Sequence, residues 1–416
     1  LKAARRLGLT TVPVVLADEL TDAPIRAFRL LANRSATWAE WDDTMLALEL
    51  EDLKLADFDL SLTGFDGTEI EALLSNDADT GEGGQPEESD AADDVPEVPA
   101  NPVSRLGDVW SLGQHRLICG DAADAGVVAT LMPGEQANLL FTSPPYGNQR
   151  DYTSGGITDW DGLMRGVFAD LPMTGDGQVL VNLGLIHRGN EVIPYWDGWL
   201  AWMRTQGWRR FAWYVWDQGP GMPGDWAGRF APSFEFVFHF NRQSRKPNKI
   251  VPCKHAGQEL HLRADGSSTA MRGKDGAIGG WTAAGLPTQD NRIPDSVIRV
   301  MRHKGKIGQG IDHPAVFPIA LPEFILAAYS DAGDLVFEPF CGSDTTMLAA
   351  QRTGRIARAV EIAPEYVDVA IKRFQQNFPG VAVTLVATGQ TFAEVADNRY
   401  CRERRLGRRD AARRVG

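Results

Sequence analysis

From His115 to Phe374, apolar runs of strand length alternate with amphipathic stretches of helix length, and that alternation leaves few folds open. The strand-like runs are His115 to Cys119, Ala137 to Phe141, Gln178 to Asn182, Phe211 to Trp216, Leu335 to Phe337 and Arg358 to Val360. Helical spacing marks Trp160 to Leu171, Trp196 to Gln206, Leu321 to Ser330 and Pro364 to Phe374. Runs without a polar face suit strands buried on both sides, with the helices between them as cover. The expected fold class is α/β, a doubly wound, mostly parallel, Rossmann-like sheet. Two segments break the rhythm. Phe234 to Phe240 alternates with period two, as a hairpin strand with one polar-facing side does, which turns His239 to solvent. Residues 241–310 are rich in Gly, Lys, Arg, Asn and Gln with little periodicity, and read as an insertion outside the core.

Upstream, a strand Val12 to Leu16 and helical patterns near Ile25 to Leu31 and Asp43 to Leu53 form a small α/β piece ending near residue 75. Residues 76–100 then carry nine acids and no Lys or Arg, with almost nothing to bury, as a disordered acidic linker does. The expected organisation is 1–75, the linker 76–100, a main domain 101–398 and a basic tail 399–416. Of the 416 residues 43% are hydrophobic, enough for a sizeable core. No apolar run approaches the roughly 18 residues of a membrane span, and Leu1-Lys2-Ala3-Ala4-Arg5-Arg6 is no signal peptide. A soluble cytoplasmic protein with no membrane partner is expected, read from a chain that opens on Leu1 as a piece of a longer one would. Cys119, Cys253, Cys341 and Cys401 form no CxxC pair, so neither disulfides nor a metal site are signalled.

The net charge of -13 argues against a nucleic-acid partner until its distribution is seen. Residues 241–310 carry thirteen Lys plus Arg against five acids, and the tail from Arg399 carries eight against two. Segregated basic charge is what phosphate contact requires.

Two loops carry the chemistry. Ala137 to Phe141 runs into Thr142-Ser143-Pro144-Pro145-Tyr146-Gly147, and a strand ending in two prolines presents a stiff loop where open α/β sheets bind ligands. The Ser143 hydroxyl and Pro144 carbonyl offer two acceptors, and Tyr146 an aromatic face. At Asp334 to Thr346 a buried strand leads through Pro339-Phe340-Cys341-Gly342-Ser343-Asp344 to a helix whose first amides can hold a carboxylate. The next strand ends in Glu361, an acid able to accept both hydroxyls of a ribose. The pair suits an adenosyl cofactor with an amino-acid tail.

Together these segments, over roughly Leu106 to Phe378, resemble the amino-methylating DNA methyltransferases of the circularly permuted class, in which the catalytic tetrapeptide precedes the cofactor loop. The resemblance implies S-adenosyl-L-methionine as cofactor and double-stranded DNA as substrate. It also implies transfer to an exocyclic amino group of a flipped base, with Ser143, Pro144, Pro145 and Tyr146 catalytic. The cofactor residues it implies are Asp121 after Leu117-Ile118-Cys119-Gly120, Pro318 after His313-Pro314-Ala315-Val316-Phe317, then Glu338, Phe340, Gly342, Ser343, Thr345, Thr346 and Glu361. The basic insertion becomes the target-recognition region, with Arg242, Arg245, Lys246, Lys249, Lys254, Arg272 and Lys274 on DNA. Ser at the head of the tetrapeptide leans toward N4-cytosine over N6-adenine. The amino-terminal Arg5 to Val14 and Arg29 to Arg34 are similar to the later part of a ParB-like domain of the kind that precedes phage and prophage methylases, whose partners can include a cognate restriction endonuclease. Two residues depart from the pattern: Asp344 stands where the family has Gly, and Glu338 where it has Asp. A carboxylate at the first and one extra methylene at the second are expected to weaken cofactor binding.

Other readings fit less. Pro252-Cys253 would supply a C5-cytosine nucleophile but follows no strand. No GxxxxGK[ST] or GxGxxG loop points to an NTPase or a dinucleotide oxidoreductase. A degenerate methyltransferase kept for DNA binding, and an RNA amino-methyltransferase, are the alternatives; base identity, target sequence and oligomeric state are not legible. Trp213, Trp216 and Trp226 are read as packing residues.

Overall fold

The computed structural model describes residues 90–145, 159–221, 226, 228–263, 265–272, 277–281, 283–301 and 317–399, at Arg272 by its backbone only. The amino-terminal piece, the linker to residue 89, Tyr146, Lys274, His313 to Val316 and the tail beyond Arg399 lie outside the described residues. The chain divides into two compact units, Leu1–Glu88 and Ser89–Gly416, and every described residue belongs to the second.

The frame of this second unit is a 10-stranded sheet. The strands are β1 (Val109–Leu112), β2 (His115–Cys119), β3 (Ala137–Thr142), β4 (Met173–Leu183) and β5 (Arg209–Asp217). They continue with β6 (Phe234–Asn241), β7 (Val297–Arg299), β8 (Leu335–Glu338), β9 (Ile356–Glu361) and β10 (Val383–Leu385). In space they lie in the order β7-β5-β6-β4-β3-β8-β9-β2-β1-β10. The run β4-β3-β8-β9-β2 is parallel throughout; β6 pairs antiparallel with both β4 and β5, and β1 with both β2 and β10. The helices are α1 (Ala125–Leu131), α2 (Trp160–Phe168), α3 (Asp197–Thr205), α4 (Ala320–Tyr329), α5 (Thr345–Arg352) and α6 (Pro364–Asn377).

Alternation along each strand assigns the two faces. In β3, Leu139 and Phe141 join Leu326 of α4, Met347 of α5 and Ile371 of α6 in one core. Leu140 between them joins Met164 and Phe168 of α2 and Trp199 and Met203 of α3 in the other. Covered on both sides, the central strands have no need of a polar face, which is why they read as unbroken apolar runs. β3 and β8 are neighbours, yet the chain leaves β3 toward β4 and leaves β8 toward β9. Connections that diverge in this way open a crevice at the carboxyl ends of the two strands.

Three expectations need correction. β6 is no half-solvated hairpin strand: it lies between β4 and β5, and His239 is buried. Its Nε2 meets Gln178 Oε1 at 2.9 Å and its Nδ1 the Tyr214 hydroxyl at 3.1 Å, and burial lowers its pKa to about 3. The polar period of the sequence marks a buried hydrogen-bonded network, since a paired polar group can alternate inward as well as outward. The insertion is shorter than its composition suggests, because Val297–Arg299 returns as β7 on the sheet edge with Ile298 buried. Finally, residues 90–100 of the acidic segment pack on the main domain: a 3₁₀ turn at Ala91–Asp93 buries Ala92, Asp90 pairs with Arg352 and Asp93 accepts from the Ile319 amide. Composition alone could not reveal those partners.

Candidate active site

The double-proline loop extends directly from β3. Thr142 and Pro144 are buried, while Ser143 and Pro145 are partly open. Trp160, the first residue of α2, donates its indole N–H to the Pro145 carbonyl at 2.8 Å. That indole is packed edge-on against Tyr195 and Trp199, with ring centroids 4.8 Å and 6.0 Å away. Asp159 caps the helix by accepting from the Gly162 amide at 2.8 Å. A rigid aromatic post thus fixes the far side of the loop. The sequence marked Trp160 as a helix start and gave no sign of this bond.

Glu338, at the end of β8, ties the two loops together. Its fully buried carboxyl group accepts from the Thr142 hydroxyl, from the Thr346 hydroxyl at 2.8 Å and from the Phe340 amide at 3.1 Å. Burial pushes its pKa up to about 8 against the pull of those three donors. The residue before Ser143 and the first turn of α5 therefore share one carboxyl group.

The turn between them is strained in a particular way. Gly342 has φ 53° and Asp344 φ 74°, both left-handed, so the Asp does occupy the backbone region that usually calls for Gly. Asp344 is fully buried at the amino end of α5 without a side-chain capping bond. The Cys341 thiol donates to its Oδ1 at 3.2 Å, and Oδ2 is buried without a hydrogen-bond partner. Burial raises its pKa to about 8, and Arg373 pulls the other way.

Beside the turn, Glu361 ends β9 and accepts from the Gly342 amide at 2.8 Å and the Ala363 amide at 2.9 Å, with burial raising its pKa. Ile362 follows it, 52% exposed although apolar. Asp121, after β2, is exposed and accepts from the Ala123 amide at 2.8 Å. Phe340 is partly exposed, and Ser343, Thr345 and Thr346 are buried. Pro318 is buried just ahead of α4. An acid, a bare apolar side chain and a turn of backbone amides converge on neighbouring strand ends, a donor set that fits a nucleoside carrying an amino-acid tail. Ile362 was not singled out from the sequence, although an apolar residue directly after a strand-ending acid is a usable signal.

The basic residues of the insertion differ in their surroundings. Arg245 pairs with Asp331 at 2.7 Å and Asp334 at 3.5 Å, so it braces the insertion against the turn after α4. Arg242 lies over the Trp208 ring at 4.3 Å and Lys249 bonds to Gln289. These two, with Lys246 and Lys254, are exposed; the Arg272 side chain and Lys274 lie outside the described residues. Cys253 sits at the end of a two-residue ladder in the insertion, with its amide on the Asp290 carbonyl at 2.8 Å, and takes no part in the crevice.

Fold and site together define a doubly wound α/β protein with a nucleoside-fitting crevice at its switch point. The chain belongs to the DNA methylase family, whose N6/N4 methylase model matches residues 137–372. A second model, the ParB-methyltransferase HTH domain, matches residues 44–106 and so takes in the acidic segment. Among curated relatives, the type II beta methyltransferase M.BslI of Bacillus sp. (strain NEB-606) is 23% identical over 275 residues, 63% of this chain. The chain spans only 28% of the length of that relative. Type II methyltransferase M.HpaI of Haemophilus parainfluenzae is 22% identical over 285 residues, 64% of this chain and 76% of the relative. A solved structure of the PvuII cytosine-N4-specific DNA methyltransferase aligns with a TM-score of 0.44 at 20% identity, covering 71% of this chain and 93% of that one.

Proposed function

We propose that this chain moves a methyl group from S-adenosylmethionine to an exocyclic amino group of a base flipped from duplex DNA, with N4 of cytosine ahead of N6 of adenine. The observation that carries this reading is the shared carboxyl group of Glu338, which holds the Ser143 loop and the Gly342 turn on either side of one crevice. When bound, the cofactor supplies an electrophilic methyl group. Glu361 is suited to its ribose hydroxyls, Ile362 and Phe340 to its adenine, and the amides at Ser343 and the start of α5 to its carboxylate. An exocyclic amine is a poor nucleophile because its lone pair is delocalised into the ring. The Ser143 hydroxyl and the Pro144 carbonyl accept its two hydrogens and turn that lone pair toward the methyl group. Tyr146 offers the base an aromatic face, as the flipped state requires. The methylated amine is acidic enough to lose its extra proton to water, so no strong base is needed beside Ser143.

Ser143→Ala separates orientation from binding. Single-turnover methylation of duplex DNA should fall by about a hundredfold or more, as for loss of one oriented polar group, while S-adenosylhomocysteine affinity stays within about twofold. Equal loss of both would remove Ser143 from the chemical step. A second reading, a methylase fold kept for DNA binding alone, has Asp344 in its favour, because its buried carboxyl group lies in the cofactor turn. Failure of wild type to bind S-adenosylhomocysteine, with DNA binding intact, would support that reading.

A further inference from the structure

We infer that residues 90–104 are a strap that completes the cofactor site, with Arg373 as its positioning residue, and that strap order and cofactor binding are thermodynamically linked. This rests on the cofactor reading above. Arg373, on α6, is fully buried. On one side its Nε and one terminal nitrogen donate to the Ala92 carbonyl of the strap at 2.9 and 2.8 Å. On the other, the second terminal nitrogen donates to the Ser343 carbonyl at 2.9 Å, the Ser343 hydroxyl at 3.1 Å and the Thr345 hydroxyl at 3.0 Å. Ser343 is the residue between the two left-handed positions of the cofactor turn. A buried guanidinium is costly unless every donor is placed, and its planar fork transmits geometry better than a lysine could.

The strap reaches the opposite wall as well. The Asp93 carboxylate accepts from the Ile319 amide at 2.8 Å, the residue directly after Pro318. Asp90 pairs with Arg352 at the far end of α5, and Asp368 accepts from the Val103 and Ser104 amides at 2.5 and 2.9 Å. Two segments of the cofactor reading, those of Pro318 and Ser343, are therefore held by the same short piece of chain. Because that piece also lies within the 44–106 match, whatever orders or strains it upstream changes cofactor affinity, and the cofactor must order it in return.

The test uses the whole chain and S-adenosylhomocysteine. Calorimetry should show Asp93→Ala weakening binding by about fivefold or more and Arg373→Lys by about tenfold or more, the range of a modest coupling energy. Asp93→Asn, which keeps the acceptor for Ile319, should stay within about twofold. Since Arg373→Lys risks the fold, Asp93→Ala carries the argument if that variant does not purify. In parallel, cleavage by a glutamate-specific protease after the exposed Glu97 should slow when S-adenosylhomocysteine saturates wild type, and slow less in Asp93→Ala. Equal affinity in wild type, Asp93→Ala and Arg373→Lys, with cleavage indifferent to the ligand, would overturn the strap alone. No binding to wild type at all would overturn the cofactor reading and the strap with it.

Discussion

Two carboxyl groups buried at one turn set a pH dependence opposite to the usual acid sensitivity. Glu338 and Asp344 both have folded pKa values raised to about 8. The folded state therefore holds protons that the unfolded chain releases near pH 4, so their contribution is fully present below that and is lost as pH rises through about 8. Unfolding free energy should fall between about pH 5 and pH 8 by about 1.4 kcal/mol per unit for each of the two groups, and urea midpoints should lose that slope in the Glu338→Gln, Asp344→Asn double variant. Asp344→Gly is expected to stabilise by about 1 to 3 kcal/mol, since it relieves a left-handed non-glycine residue and an unpartnered buried oxygen, and to tighten S-adenosylhomocysteine binding. Thermal denaturation with a ligand titration checks both. From sequence, the Asp-for-Gly exchange was legible. That the carboxyl group is wholly buried beside Cys341, and that Glu338 spans both loops, depends on packing between residues some two hundred positions apart, which a linear pattern does not encode.

At the scale of elements, sequence periodicity located every central strand because burial on both faces leaves a continuous apolar run. It failed where polar groups are buried in pairs, as at His239 and Gln178, and where a strand is only three residues long, as at Val297–Arg299. The strap was missed for a related reason: an acidic segment looks unfoldable until Arg352 and Arg373 are placed beside it. The Trp160 post yields a prediction at this scale. Trp160→Phe keeps the aromatic packing but leaves the Pro145 carbonyl without its donor. The turnover number should drop by about tenfold with S-adenosylhomocysteine affinity unchanged, because a misplaced acceptor affects orientation and not cofactor binding. Stopped-time methylation assays beside calorimetry distinguish the two effects.

For the whole molecule, a net charge of -13 coexists with a basic insertion in which Arg242, Lys246, Lys249, Lys254, Arg263 and Arg299 are exposed among the described residues. Lys246 and Lys254 are exposed, whereas Arg245 is held by Asp331 and Asp334. Replacing both lysines by Ala should weaken DNA binding across sequences and reduce the slope of log K against log salt by about two, while Arg245→Ala should leave that slope unchanged. Fluorescence anisotropy over a salt series reads this directly. Among the described residues no helix is long and apolar enough to cross a membrane. In the proposed function, one crevice brings an oriented amino group to a methyl donor. The most direct test is nucleoside mass spectrometry of duplex DNA incubated with the protein and S-adenosylmethionine, with Ser143→Ala alongside. N4-methylcytosine, or N6-methyladenine, is expected in the wild-type digest and neither in the variant; 5-methylcytosine, or an amino-methylated base formed equally by the variant, would contradict the proposed function.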